Sequence, residues 1–203
     1  MWYIGALFTF VHPAATHAAS VKIEMNGLED ALRDAARSSL DLQRFSEREM
    51  TAIQVRRLFD RADEQIQEAM QPYGYYDVSV EGDLTQGEKA DEYIATFEVD
   101  LGDPVIVREA DVRIEGDATE LQDVKTALEA FEPKIGQRLD HSAYENSKTA
   151  IDTQLRALGY FDAELVEHRV EVLQSANSAD IQLQWNSNAR HRLGEVDFTD
   201  AQF

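Results

Sequence analysis

The stretch RALGYFDAEL, residues 156–165, is a near copy of an earlier one, MQPYGYYDVSV, residues 70–80. Each copy places glycine, tyrosine, a second aromatic residue and aspartate in a row, after a helix-forming run and before an alternating one. The two glycines, Gly74 and Gly159, lie 85 residues apart. Internal similarity at a long, fixed spacing is typical of tandem structural repeats. The sequence therefore predicts two copies of one folded unit.

The motif is best interpreted as structural rather than catalytic. A residue that ends a helix and reverses the chain often adopts the left-handed conformation, which costs about 1–2 kcal/mol for a residue with a Cβ atom and nothing for glycine. Strand alternation should then send one of the two following rings into the core and the other outward. The residues assigned to this structural motif are Gly74, Tyr75, Tyr76, Gly159, Tyr160 and Phe161.

The residues around the first copy predict the element order β-α-α-β-β. Residues 21–25 alternate as a strand does, and residues 28–40 have helical spacing. The sequence SERE, residues 46–49, has the pattern of a capping box that opens a second helix. Two alternating strands follow, at residues 76–82 and 93–99. The predicted second helix has one apolar stripe, formed by Val55, Phe59, Ala62, Ile66, Ala69 and Tyr73.

The same order begins again after Gly102-Asp103-Pro104, a short linker that predicts a restricted hinge and an elongated, jointed rod. Residues 112–116 are the first strand, capping boxes at Thr119 and Ser142 open two helices, and Ile181, Leu183 and Trp185 lie on the last strand. Residues 188–198 echo residues 103–114. The predicted domains are therefore 19–102, 103–189 and the first strand of a third unit at 190–203.

The amino terminus predicts export. Residues 2–11 are apolar, Pro13 breaks the run, and Thr16-His17-Ala18 offers small residues at the positions that precede a cleavage site. We predict a signal peptide at residues 1–18, although no Lys or Arg precedes the apolar run. An anchor helix is the alternative, but the run is shorter than the ~20 residues that cross a bilayer.

Charge and composition exclude several classes of function. The formal net charge is −20, which disfavours nucleic acid and anionic membranes as partners because both carry phosphate. The chain has no cysteine, so it has no disulfide framework, thiolate metal site or cysteine nucleophile.

A secreted enzyme is the rival class, and its best candidate residues are isolated. His141 and Ser142 are neighbours at a helix start, where adjacent side chains do not converge as a nucleophile and its base must. His168 and His191 lack a nearby His, Asp or Glu at metal-ligand spacing, and no glycine-rich phosphate loop occurs. We predict no catalytic residue, no metal, no cofactor and no enzyme activity.

The repeat resembles a known family. Tandem secreted β-α-α-β-β units with Gly-Tyr-Phe/Tyr at the second helix-strand junction are similar to the POTRA domains of TamA-like outer-membrane assembly proteins, within the BamA-related superfamily. The most specific residues lie in the second unit and just after it, at 144–148, 158–162 and 186–198, where YENSK, LGYFD and the stretch through Asn186, Arg190 and Phe198 match the family pattern.

The resemblance implies an α+β fold in which each three-stranded sheet packs on two helices. It also implies a periplasmic arm of an outer-membrane β-barrel protein, with the barrel beyond this chain. The implied partners are a TamB-like inner-membrane-anchored protein and unfolded outer-membrane proteins such as autotransporters, with no nucleic acid. The alternative is a POTRA-like peptide-binding module of BamA or of another secretion or divisome protein.

In that fold the third strand is central and the second strand is an edge, which can accept an extended peptide by β-augmentation. The second unit's edge, residues 162–172, is charged and its apolar parity slips between Leu165 and Val170, which predicts a bulge that discourages pairing. The first unit's edge alternates cleanly. The predicted partner-binding residues are Asp77, Val78, Ser79, Val80 and Glu81.

Overall fold

The computed structural model of the protein describes residues 19–46, 48, 50–192 and 194. The predicted signal peptide, residues 1–18, lies outside this part of the chain, and so do residues 195–203 of the predicted third unit. Two α+β units follow one another, as the sequence predicts, and we call residues 19–102 the first module and residues 103–189 the second. No helix within the described residues is long and apolar enough to cross a bilayer.

The first module is a three-stranded sheet with helices on one face. Its strands are β1 (Ser20–Asn26), β2 (Ser79–Gln86) and β3 (Glu92–Asp100), in the spatial order β1-β3-β2. β1 runs parallel to β3 and β2 runs antiparallel to it. The helices α1 (Asp30–Ser39), α2 (Asp41–Phe45), α3 (Ala52–Phe59) and α4 (Ala62–Met70) connect β1 to β2. The parallel pair needs such a crossover, because a tight turn cannot join parallel strands.

The second module repeats this topology with fewer helix breaks. Its strands are β4 (Ile106–Glu115), β5 (Glu164–Leu173) and β6 (Ser178–Asn186), in the order β4-β6-β5. Its helices are α5 (Gln122–Glu129) and α6 (His141–Ala157). β6 is central, parallel to β4 and antiparallel to β5.

Each module has its own hydrophobic core, formed by the inner face of its sheet and the apolar stripes of its helices. Phe97 and Trp185 are the largest side chains at the two centres, and each lies on the middle strand of its sheet. The predicted stripe of the first module points inward at Val55, Ala62 and Ile66, which are fully buried.

The helix starts differ from those that the sequence predicts. Ser46 closes α2 by donating its hydroxyl to the Gln43 carbonyl, and the capping box belongs instead to Thr51 and Gln54 at the start of α3. Thr119 donates its hydroxyl to the Gly116 carbonyl in a turn before α5. At α6 the cap is Asp140, which accepts a hydrogen bond from the Ala143 amide, so Ser142 lies inside the helix.

The predicted second helix of the first module is also not continuous. It is divided into α3 and α4 at Asp60 and Arg61, and a short 3₁₀ turn, Gln71–Tyr73, follows α4. The apolar stripe crosses this break without losing its direction, because the residues on both sides pack on the same core. Side-chain periodicity therefore locates the buried face but not the break in the backbone.

Candidate functional site

The β2 edge is the candidate binding site of the first module. Within the part of the chain that the structure describes, β2 is the outer strand of the sheet and pairs with β3 alone. The structure starts β2 at Ser79, three residues later than the sequence predicts, and extends it to Gln86. Asp77 and Val78 therefore precede the strand, whereas Ser79, Val80 and Glu81 belong to it.

The hydrogen-bond ladder fixes which backbone groups of β2 face outward. The Gly87 amide donates to the Glu92 carbonyl at 2.8 Å, so these two residues form a hydrogen-bonded pair at the hairpin end. Bonded and non-bonded pairs alternate in an antiparallel ladder, and the β2–β3 register has no bulge. The residues whose backbone N–H and C=O point away from β3 are thus Val80, Gly82, Leu84 and Gln86.

The side chains of this outward set lie on the face of the sheet that carries the helices. Val80, Gly82 and Leu84 stand opposite Val99, Phe97 and Ala95 of β3, which are buried. Val78 is only 7% exposed and belongs to the core. The assignment of Val78 as a partner-binding residue stays a prediction, and its side chain packs in the core and is not available to a partner.

The opposite face of the same edge is acidic. Glu81 stands directly opposite Glu98, and Asp83 stands opposite Thr96, whose other neighbour is Glu24. The Asn26 amide donates to Glu98 at 2.6 Å and Lys22 pairs with Glu24 at 2.7 Å. Like charges directly opposite one another on a sheet repel. A cationic side chain added next to Glu81 would therefore meet a favourable potential.

The corresponding edge of the second module is less suited to pairing. The β5–β6 register shifts between Leu165 and Glu167, which confirms the predicted bulge and places the extra residue at Val166. Most of β5 is exposed, and Arg169 forms an ion pair with Glu171 along it. Bulges and charges both discourage the addition of another strand.

The Gly-Tyr-aromatic residues lie at the ends of the two modules rather than at either edge. Gly74 and Gly159 have φ angles of +83° and +92°, in the left-handed region. Tyr160 is buried and Phe161 is 58% exposed, whereas Tyr75 and Tyr76 are both half-buried. Burial raises the pKa of the Tyr76 phenol above its ordinary value.

Two of the three histidines that the sequence offers as candidate catalytic or metal-binding residues have side-chain partners. His141 Nε2 lies 2.9 Å from the Tyr76 hydroxyl, and His191 Nε2 lies 2.7 Å from an Asp162 carboxylate oxygen. His168 is exposed on β5. Within the described part of the chain, no three His, Asp or Glu side chains are grouped closely enough to hold a metal ion.

Two protein-family models match the chain. The model described as POTRA domain TamA domain 1 matches residues 22–101. The model described as POTRA, surface antigen variable number repeat, matches residues 107–185. The two matched ranges follow the two sheets, β1 to β3 and β4 to β6.

Similar solved structures include three from the Omp85 and BamA group. BamA POTRA3-5 from Haemophilus influenzae is 17% identical, with 89% of this chain and 71% of that one covered and a TM-score of 0.43. BamA from Haemophilus ducreyi lacking POTRA domains 1–3 is 17% identical, with 84% and 29% covered and a TM-score of 0.39. The N-terminal domain of Omp85 from Thermosynechococcus elongatus is 16% identical, with 81% and 61% covered and a TM-score of 0.36.

Proposed function

Because this chain belongs to the POTRA domain family, matched over residues 22–101 and 107–185, we propose that it is the periplasmic arm of a TamA-like outer-membrane assembly protein. Its role is to bind partner and substrate segments, not to catalyse a reaction. In this proposal residues 1–18 are a signal peptide, residues 190–203 begin a third POTRA module, and a membrane barrel follows. The partners are a TamB-like inner-membrane-anchored protein and unfolded outer-membrane proteins such as autotransporters.

The observation that best supports a binding role is the row of outward-facing backbone groups on β2. Val80, Gly82, Leu84 and Gln86 direct their backbone donors and acceptors away from the sheet. An extended segment can form hydrogen bonds with such groups by adding a strand to the sheet. Its alternate side chains then contact the two faces of the sheet, which gives specificity. We assign the partner-binding edge to Ser79, Val80 and Glu81 of the predicted set and extend it to Gln86.

The charges at this edge define the kind of segment that fits. Side chains of an added strand would stand beside Glu81 and Asp83 on the outer face and beside Val80 and Leu84 on the helix face. The like-charge pair of Glu81 and Glu98 favours a basic residue on the outer face. The preferred segment therefore alternates basic or polar residues with small apolar ones.

We expect Val80→Pro to weaken capture of the partner about tenfold while the module stays folded. Proline removes the outward N–H of Val80, and a net hydrogen bond contributes about 0.5–1.5 kcal/mol, so its loss together with the bulk of the ring accounts for this change. The measurement is binding to the purified periplasmic part of the TamB-like protein, with folding followed by circular dichroism.

Two further proline variants make this test specific. Ser79→Pro removes a donor that points at β3 and should destabilise the module itself. Val166→Pro places the same residue at the β5 bulge, outside the proposed site, and should leave both folding and capture unchanged. If Val80→Pro and Leu84→Pro both fold and capture the partner at the wild-type level, β2 is not the docking strand.

Glu81→Gln tests the proposed charge of the partner separately. At low ionic strength we expect it to weaken capture several-fold, because one carboxylate of the acidic face is lost, and the difference should shrink as salt screens the interaction. The conservative variant keeps the side-chain shape, so the β2–β3 pairing is retained. Equal capture by wild type and Glu81→Gln at every salt concentration would show that the outer face does not select a basic segment.

A further inference from the structure

The turn that carries the first glycine is also the point at which the two modules meet. The Gly74 carbonyl accepts a hydrogen bond of 2.8 Å from the amide of Val105, which comes immediately before β4. A Cβ atom added to Gly74 would lie 2.3 Å from the Leu139 carbonyl oxygen, which belongs to the second module. Glycine is therefore required at this position by the neighbouring module as well as by its φ angle.

The two rings of this turn also engage the second module. Arg138 Nη1 donates to the Tyr75 hydroxyl at 2.9 Å, and its guanidinium lies 5.2 Å from the centre of the Tyr75 ring. The Tyr76 hydroxyl lies 2.9 Å from His141 Nε2, at the start of α6. Tyr75 packs on the core of the first module, whereas Tyr76 packs on the core of the second. Consecutive residues thus bridge the two cores.

The second turn repeats the backbone contact. The Gly159 carbonyl accepts a hydrogen bond of 2.8 Å from the His191 amide, as the Gly74 carbonyl does from Val105. Arg190 Nε donates to the Leu158 carbonyl at 2.7 Å. The Phe161 ring, which takes the place of Tyr76, lies edge-on to His191 with 5.7 Å between ring centres. Each copy of the motif therefore accepts a backbone hydrogen bond from the segment that follows its own module, at Val105 in the first case and at His191 in the second.

We propose that the Gly-Tyr-aromatic turn is a docking surface for the module that follows it in the chain. Its glycine carbonyl accepts a hydrogen bond from the segment that enters the next module, and in the first turn its two rings contact Arg138 and His141 at the start of that module's second helix. The partner of this surface is thus the next POTRA module, and the contact fixes the angle between the two. The sequence alone predicts a hinge at residues 102–104. The joint is more restricted than that linker, because residues 74–76 before it contact Val105, Arg138 and His141 after it.

The proposal goes beyond the partner-binding role, because it concerns the orientation of the modules and not what they capture. It also accounts for the glycine and the second aromatic ring in both turns, because Tyr76 and Phe161 each contact a histidine of the segment that follows. A turn that only ended a helix would require its glycine, whereas the tyrosine and the second aromatic ring would be free to vary with the local core. Here both rings of the first turn have partners across the joint, Arg138 and His141.

Distances between spin labels test the proposal directly. The chain has no cysteine, so labels on Glu68→Cys in α4 and Asp123→Cys in α5, both exposed, report the inter-module distance without background. We expect one narrow distance distribution for the labelled parent. Gly74→Ala should broaden or shift it, because the new methyl group collides with the Leu139 carbonyl.

Gly136→Ala is the matched control for this experiment. Gly136 has a φ angle of +85°, and a Cβ atom there would meet nothing within 4 Å, so the substitution has the same backbone cost without a neighbour. It should leave the distribution unchanged. Because Gly74→Ala could unfold the first module, the double variant Tyr76→Phe with Arg138→Ala provides a second measurement. It removes both side-chain contacts across the joint, and within the second module it removes only the 3.9 Å ion pair of Arg138 with Asp140.

For the double variant we expect a native circular dichroism spectrum. Its distance distribution should be at least about twice as broad as that of the labelled parent, because both side-chain contacts across the joint are lost. A parent distribution that is already broad would overturn the proposal. So would a double variant with a distribution as narrow as that of the parent. Neither outcome involves capture of a partner, so failure here leaves the β2 proposal standing.

Discussion

Replacing Trp185 with alanine should lower the free energy of unfolding of the second module by about 3–5 kcal/mol, the usual cost of deleting a large aromatic side chain from a core. Trp185 is fully buried on the central strand β6, between Ile114 of β4 and Leu165 of β5. Its indole N–H donates to Asp152 of α6 at 2.7 Å, so the ring fastens the sheet to the helix. Few other single changes would remove as much packed volume from this module.

Calorimetry of the whole chain checks this expectation. For a module of this size a loss of 1 kcal/mol lowers the melting temperature by about 4–8 °C, so the second module should melt at least about 10 °C lower. Trp185→Phe is the control, because it keeps most of the buried ring. It loses the smaller part of the indole volume and the bond to Asp152, an exposed carboxylate that water can solvate. A Trp185→Ala protein with an unchanged transition would show that this core is not organised around the indole.

The parts of the fold that depend on side-chain periodicity could be predicted from the sequence. The alternation of Ile181, Leu183 and Trp185 identifies a strand with one buried face, and all three side chains are buried on β6. The slip in parity on β5 identifies the bulge, since an extra residue moves every later side chain to the other face. Such patterns are a direct result of burial, so the sequence contains them.

Features that depend on competing hydrogen bonds could not be predicted in the same way. Ser46, Thr119 and Ser142 all fit the capping pattern, but Ser46 and Thr119 bond to carbonyls in their own turns and Asp140 caps α6 in place of Ser142. Several hydroxyl and carboxylate groups compete near each helix start, and the tertiary position of the backbone decides which of them is used. The predicted start of β2 is also too early. Val78 is buried as a strand residue would be, but the backbone pairing with β3 begins only at Ser79, and side-chain alternation does not show where pairing begins.

The joint between the modules is the feature least visible in the sequence. The requirement for a left-handed glycine is local and can be inferred from the helix end, but the Leu139 carbonyl that excludes a Cβ atom at Gly74 comes from a residue 65 positions later. The same holds for the contact between Tyr76 and His141, whose spacing follows no helical or strand period. Contacts between two modules with separate cores leave no periodic signal in the sequence, so only the three-dimensional arrangement shows them.

Phe97→Ala should lower the free energy of unfolding of the first module by about 3–5 kcal/mol and abolish partner capture with it. Phe97 is 1% exposed at the centre of β3, and its ring stacks on Phe59 of α3 with 5.4 Å between centres. It lies opposite Gly82, where a Cβ atom would come within 3.0 Å of the Phe59 ring. The aromatic pair therefore supports the middle of the β2 edge from the helix side.

Phe97→Leu separates support of the edge from overall stability. Leucine keeps most of the buried area, so we expect a loss of about 1–1.5 kcal/mol and near-normal capture at temperatures where the module is folded. Calorimetry should show that Phe97→Ala lowers the transition of the first module and leaves that of the second nearly unchanged, because the two cores are separate. If both transitions fell equally, the joint at Gly74 would couple the modules into one cooperative unit, and its bonds would contribute to stability as well as to orientation.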